Sequence, residues 1–80
     1  MARFSRARLS AEAEHYTREA AHADRAALSG EQDAADTAAT DTHRACADRA
    51  AQTARARAAE YRHIAAQLRD GHIPDGIHLT

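Results

Sequence analysis

Alanine dominates the apolar residues of this chain, which restricts the kind of core that the chain can build. Of its 35 apolar residues, 23 are Ala, and neither Val nor Trp occurs. A core in a chain of this size contributes only a few kcal/mol, and methyl side chains reduce that further. Ala is also the best helix former, and the net charge of −1 is too low for a typical disordered chain. The composition therefore favours helices that are stabilised by association.

The remaining composition predicts a small cytoplasmic protein of one domain. Every basic side chain is Arg, and both Lys and Asn are absent, which indicates a GC-rich bacterial or phage genome. The single cysteine, Cys46, excludes an internal disulfide. The basic segment 1–9 lacks the apolar run of a signal peptide, and no stretch reaches transmembrane length. We expect no membrane association.

A first helix is predicted over residues 10–28, after a basic N-terminal arm over 1–9. Ser10 or Ser5 can cap its start. Apolar residues recur in steps of four and three along one face, which is typical of an amphipathic helix: Leu9, Ala13, Tyr16, Ala20, Ala23 and Ala27. Gly30 follows the helix and suits a C-terminal cap, so we expect the chain to reverse at residues 29–30.

A second, longer helix is predicted over residues 31–69. Its apolar stripe follows the period of a straight α-helix more closely than a strict heptad: Ala35, Ala39, Thr42, Cys46, Ala50, Ala54, Ala58, Tyr61, Ala65 and Leu68. This stripe predicts that Cys46 is a small core residue. One unbroken helix through Gly30 is the rival interpretation, but the first stripe then runs into charged residues. The segment 37–42 is the weakest helical stretch, and a break there stays open.

A C-terminal tail is predicted over residues 71–80, after a hairpin domain that spans 10–70. Gly71 ends the second helix, and Pro74-Asp75-Gly76 is a strong turn signal with apolar residues on both sides. The fold class is thus all-α: a two-helix antiparallel hairpin with a longer second helix and a short C-terminal turn segment. Pairing of two copies into a four-helix bundle is the expected assembly.

The difference in helix length predicts an interface. If the chain reverses near Gly30, the second helix beyond about residue 56 has nothing from the first helix to pack on. That end carries large apolar side chains, and an exposed apolar patch marks a contact surface. Its candidate residues are Leu9, Tyr16, Tyr61, Ile64, Leu68, Ile73, Ile77 and Leu79. A second copy, a different protein partner, or the chain's own tail are the three occupants to consider.

Two further residue patterns suggest alternative functions. Arginines follow nearly one line along the second helix, and others lie on the N-terminal arm, so these side chains suit phosphates of a nucleic acid or an acidic protein surface: Arg3, Arg6, Arg8, Arg44, Arg55, Arg62 and Arg69. Three Glu-x-x-His pairs have the spacing that metal-binding bundles use: Glu12 with His15, Glu19 with His22, and Glu60 with His63. Solvated arginines and surface pairs are the structural interpretations of the same residues.

No motif of catalysis or phosphate binding occurs, so an enzyme is not predicted and no cofactor is expected. The first hypothesis is a small interaction or regulatory protein that binds a partner protein through the exposed end of the second helix and the tail. The alternatives are an accessory protein that binds nucleic acid through the arginine line, and a metal-binding helical bundle.

Overall fold

The structure, a computed structural model, describes residues 4–79, which form two antiparallel helices packed along their whole length. Helix α1 spans Arg6–Ala34 and helix α2 spans Asp41–Arg69, with 29 residues in each. The described residues contain no strand. The molecule measures 58 × 18 × 18 Å, so it is an elongated rod whose width is that of a single helical hairpin. The predicted all-α antiparallel hairpin is confirmed.

Both helices begin at a hydroxyl cap. The Ser5 Oγ accepts a hydrogen bond from the Arg8 backbone N–H at 3.1 Å, and the Thr40 Oγ1 accepts one from the His43 N–H at 3.1 Å. Each cap satisfies one of the backbone donors that a helix start leaves unpaired. Because Ser5 is the cap, residues 6–9 of the predicted arm belong to α1, while residues 1–3 lie outside the described part.

The chain reverses over residues 35–40, and the predicted turn at 29–30 is wrong. In the connection, the Asp36 Oδ1 accepts a hydrogen bond from the Ala38 N–H at 2.9 Å. The Arg44 Nε donates to the Ala34 carbonyl at 2.8 Å, which satisfies a carbonyl at the end of α1. The break therefore falls in the segment with the weakest helix propensity. Since both helices have equal length, the predicted excess length of the second helix is not present.

Gly30 lies inside α1 because the helices approach closely there. A Cβ built on Gly30 would lie 3.0 Å from the Ala47 carbonyl oxygen and 3.1 Å from the Ala51 Cβ. These distances are shorter than ordinary van der Waals contacts. A glycine inside a helix costs about 1 kcal/mol relative to Ala, and here close packing against α2 is the compensating gain.

The contact between the helices follows a strict seven-residue repeat. The fully enclosed alanines on each helix are spaced by seven, as in a coiled coil: Ala13, Ala20 and Ala27 on α1, and Ala51, Ala58 and Ala65 on α2. The predicted straight-helix stripe is right at Ala58 and Leu68 but wrong at Thr42, Cys46 and Ala50, which are exposed. A straight stripe drifts by about 20° per heptad, so it leaves the contact face toward the start of α2.

The tail folds back onto the end of the hairpin. Gly71 has φ 84°, the Gly71 N–H donates to the Leu68 carbonyl at 3.0 Å, and the His72 N–H donates to the Gln67 carbonyl at 2.9 Å. This pair of bonds is a Schellman motif, which ends α2 where the sequence predicts. Gly76 has φ 84° in the predicted turn, and the Ile77 N–H donates to the Pro74 carbonyl at 3.2 Å.

Neither of the two helices is long and apolar enough to cross a membrane, as judged over residues 4–79.

Candidate interaction site at the open end of the hairpin

The large side chains of the molecule gather at the open end, by which we mean the end where the start of α1, the end of α2 and the tail meet. A buried cluster of Leu9, Ala13, Ile64, Ala65 and Leu68 lies there. Tyr16, Ile73, Ile77 and Leu79 pack against it and are partly buried. Seven of the eight predicted interface residues are thus part of this intramolecular core or packed on it, and the predicted apolar overhang is wrong.

The eighth residue, Tyr61, pairs with Tyr16 across the two helices. Their ring centroids lie 6.0 Å apart with an interplanar angle of 38°, and both side chains are partly buried. His15 packs edge-on against Tyr16 with centroids 5.2 Å apart. Such aromatic pairs add stability beyond the area that they bury. Tyr16 on α1 therefore lies opposite Tyr61 on α2.

A cavity of about 290 Å³ opens at this end, between the first turns of α1 and the last turn of α2. Its apolar lining comes from Leu9 and Leu68, and its polar lining comes from both helices. The polar and backbone lining consists of Arg6, Ser10, Arg69, Asp70 and Gly71. Phe4 precedes α1 here and is 36 % exposed. The cavity was not found from the sequence, because it depends on the true position of the chain reversal.

The arginine line of α2 turns toward α1. Arg55 donates to Glu31 through two N–H groups, at 2.6 and 3.1 Å, and also reaches the Asp24 Oδ1 at 3.1 Å. Arg62 pairs with the second oxygen of Asp24. The other two members, Arg69 and Arg44, donate to the Thr17 Oγ1 at 3.1 Å and to the Ala34 carbonyl. All four therefore clamp the hairpin, and we call this set of contacts the arginine clamp.

The residues that pair with the arginine line were not identified from the sequence, although their spacing in the sequence indicates them. Thr17, Asp24 and Glu31 recur every seven residues, as do Arg55, Arg62 and Arg69. Matching seven-residue spacing on two antiparallel helices places the rows beside each other along the contact face. The hydrogen bond and charge of Arg62 lower the pKa of Asp24, and those of Arg55 lower the pKa of Glu31. Glu31 in turn raises the pKa of Arg55.

The arginines predicted on the N-terminal arm have different surroundings. Arg6 is exposed and lines the cavity, and it forms no ion pair among the described residues. Arg8 pairs with Glu12 at 3.4 Å, and its guanidinium lies 5.9 Å from the centroid of the Phe4 ring. Arg3 lies outside the described residues. The open end thus presents Arg6 and Arg69 on the rim of one cavity.

The three Glu-x-x-His pairs do not form one site. The His22 Nδ1 lies 3.9 Å from the Glu19 Oε1, whereas Glu12 pairs with Arg8. Glu60 and His63 are exposed on α2. Over residues 4–79, no three side chains of His, Cys, Asp or Glu come together in an arrangement that suits a metal ion.

Comparison with known proteins returns no relative: no protein-family model, no curated protein and no solved structure matches the chain.

Proposed function

We propose that this chain is a non-enzymatic helical interaction protein, which acts by binding the surface of a partner protein through the open end of the hairpin. Three features occur together at the open end, and their combination carries the proposal. They are the cavity, the exposed aromatic side chain of Phe4, and Arg6, which forms no ion pair among the described residues. Interfaces are enriched in aromatic residues and arginine, and a pocket that accepts a side chain anchors many of them. The four arginines of the arginine clamp, in contrast, donate hydrogen bonds within the hairpin.

A cytoplasmic setting and a non-catalytic role fit the same features. Cys46 is a free and exposed thiol, which is typical of a reducing compartment. The cavity is lined by arginine, serine and aspartate side chains around two leucines. Its volume of about 290 Å³ lies at the lower limit of pockets that hold small-molecule ligands.

Site-specific photocrosslinking tests this proposal. p-Benzoylphenylalanine replaces Phe4 at the open end in one variant and Thr37 in the connection between the helices in a matched control. Both variants are expressed in cells of the natural source and irradiated. We expect one discrete crosslinked protein from position 4 and none from position 37, followed by direct binding of the purified pair. Equal products from both positions, or none from position 4, would contradict the proposal.

A homodimer is a second candidate, which the exposed surface favours. The chain exposes 5797 Å², whereas a compact monomer of 8.7 kDa exposes roughly 4,700 Å². The excess of roughly 1,100 Å² is larger than the area of about 800 Å² that each partner contributes to a standard interface. Pairing of two hairpins into a four-helix bundle would cover such an area. Leu28, which is 51 % exposed, is the largest apolar side chain available on the flank of α1.

Sedimentation equilibrium on untagged protein tests the homodimer. We expect a mass of two chains, and we expect the variant Leu28→Lys to shift the equilibrium toward one chain while the helical circular dichroism is retained. A single-chain mass at all concentrations would rule the homodimer out.

The geometry favours neither the nucleic-acid nor the metal alternative. Binding of phosphates by the arginine line would require Arg55 and Arg62 to leave Asp24 and Glu31. The Glu-x-x-His pairs remain separate, and Glu12 is engaged by Arg8.

A further inference from the structure

The cavity at the open end lies at the small end of the size range of ligand pockets. Its volume of about 290 Å³ compares with roughly 300–1,000 Å³ for ligand pockets. Leu9 and Leu68, from opposite helices, supply its apolar lining. Burial of an apolar side chain against them is favourable in proportion to the apolar area removed from water.

The rim of the cavity favours a negative partner. Arg6 and Arg69 line it against one acid, Asp70. Although Arg69 donates to Thr17, a guanidinium has five N–H donors in a fixed fork, so Arg69 retains donors for a carboxylate. Arg6 is exposed and forms no ion pair within residues 4–79.

The start of α1 adds to this preference for negative charge. The positive end of the helix dipole favours acidic side chains in the first turn, and α2 follows this rule with Asp41. In contrast, α1 has no acid in its first turn and begins with Arg6. Local departures from such rules are concentrated at functional sites. A carboxylate bound at Arg6 would satisfy the guanidinium and the helix dipole together.

We propose that the cavity binds an acidic segment of a partner protein, which inserts one apolar side chain between Leu9 and Leu68 and places flanking carboxylates on Arg6 and Arg69. This inference rests on the proposed function and names the chemistry of its partner. A protein segment is favoured over a nucleic acid because the apolar lining accepts a side chain.

Titration of ¹⁵N-labelled full chain with matched capped pentapeptides, followed by NMR, tests the proposal. The first peptide has a central leucine flanked on each side by aspartate and glutamate. The second replaces the leucine by serine, and the third replaces the acids by lysine. We expect the first peptide to shift the amide signals of Ser10 and Gly71 and to leave those of residues 35–40 unchanged. The other two peptides should bind about tenfold more weakly or worse.

Two charge-reversal variants provide the control. Arg6→Glu should weaken binding of the acidic leucine peptide about tenfold or more. Arg25→Glu changes another exposed arginine on α1 that does not line the cavity, and it should leave binding unchanged. Both variants should keep the helical circular dichroism of the parent, since neither side chain is buried.

Three outcomes would overturn the inference: no shift at Ser10 and Gly71 at millimolar peptide, equal binding of the lysine peptide, or tighter binding of a twelve-residue oligothymidine than of the acidic peptide. Failure here is distinguishable from failure of the proposed function. A discrete crosslinked partner at position 4 together with absent peptide binding would retain an interaction protein and reject the acidic segment.

Discussion

The two halves of the hairpin use one seven-residue repeat in different ways. Near the connection, the contact consists of Ala methyl groups and the backbone of Gly30, and a Cβ on Gly30 would lie 3.0 Å from the backbone of α2. At the open end, the same positions hold Leu9, Tyr16, Tyr61 and Leu68, and the tail packs over them. The connection half buries little apolar area, and the open half buries most of it.

The two halves therefore have different roles: the connection half fixes how closely the helices approach, and the open half supplies most of the stability. Helices that meet through methyl groups bury little apolar area, so the hydrophobic gain is small. Added atoms are destabilising there, because the two backbones are too close to accommodate them without moving apart. Large side chains at the open end supply the hydrophobic gain, and the hydrogen-bonded arginine clamp connects the two halves along one side. The same end that stabilises the hairpin also carries the cavity, so binding and folding share Leu9 and Leu68.

The largest expected effect is at Leu68, whose side chain is fully buried at the open end. Leu68→Ala should lower the free energy of unfolding by about 3 kcal/mol, since deletion of a buried leucine also leaves a cavity. In a chain of this size such a loss removes most of the stability. Thermal unfolding followed by circular dichroism should show a variant that is largely unfolded near room temperature.

Leu28→Ala is the matched control for that comparison, because Leu28 is half exposed on α1. In protein dilute enough to be a single chain, it should change the free energy of unfolding by less than about 0.5 kcal/mol. Similar losses for the two leucines would mean that stability is not concentrated at the open end.

At the connection half, Gly30→Ala tests close packing against helix propensity. The methyl group should raise propensity by about 1 kcal/mol, but it meets the Ala47 carbonyl of the other helix. We expect a net loss of about 1 kcal/mol, because overpacking costs about 1–3 kcal/mol. Ser29→Ala, one residue earlier and exposed, should instead stabilise the protein slightly by urea denaturation. A net gain for Gly30→Ala would show that the helices separate easily there.

Gly30 also shows which parts of the fold can be predicted from the sequence and which cannot. The helical hairpin, the end of α2 at Gly71 and the turn at Gly76 could be predicted, because each follows from local periodicity or backbone preference. A glycine that permits close approach of helices has the same local sequence signal as a glycine that ends a helix. Only the partner helix distinguishes them, and that contact is not local.

The error at Gly30 propagated to the candidate site. A reversal at residues 29–30 implies that Tyr61 and Leu68 have no partner on the first helix, whereas both pack within the hairpin. It also places Asp24 and Glu31 away from the arginine line, with which they form ion pairs. Continuation of the first stripe into Gly30 and Ala34 was the signal that would have corrected it. A strict heptad of alanines on α2 gives the same register.

The junction of α2 with the tail provides a third test of the open end. Gly71 has φ 84°, where a side chain is strained although the space around it is open. Gly71→Ala should lower the free energy of unfolding by about 1 kcal/mol. Gly71→Asn should cost less, because Asn tolerates the left-handed region. Equal losses in urea denaturation would indicate an effect of side-chain volume and not of backbone conformation.

The smallest effect concerns the arginine clamp and depends on pH. Arg62 and Arg55 lower the pKa values of Asp24 and Glu31 below their ordinary values of 3.8 and 4.5. A lowered pKa in the folded state means that the stabilisation is complete above the ordinary value and is lost as the pH falls through the folded value. The free energy of unfolding should therefore decrease on acidification below about pH 4.5.

Asp24→Asn should flatten that decrease, because the variant no longer takes up the proton that weakens the clamp. Asp33→Asn is the matched control, since Asp33 is exposed on the same helix and its carboxylate has no ion pair in residues 4–79. Urea denaturation at a series of pH values measures both variants against the parent. Parallel pH profiles for parent and Asp24→Asn would mean that the clamp orders the side chains without stabilising the fold.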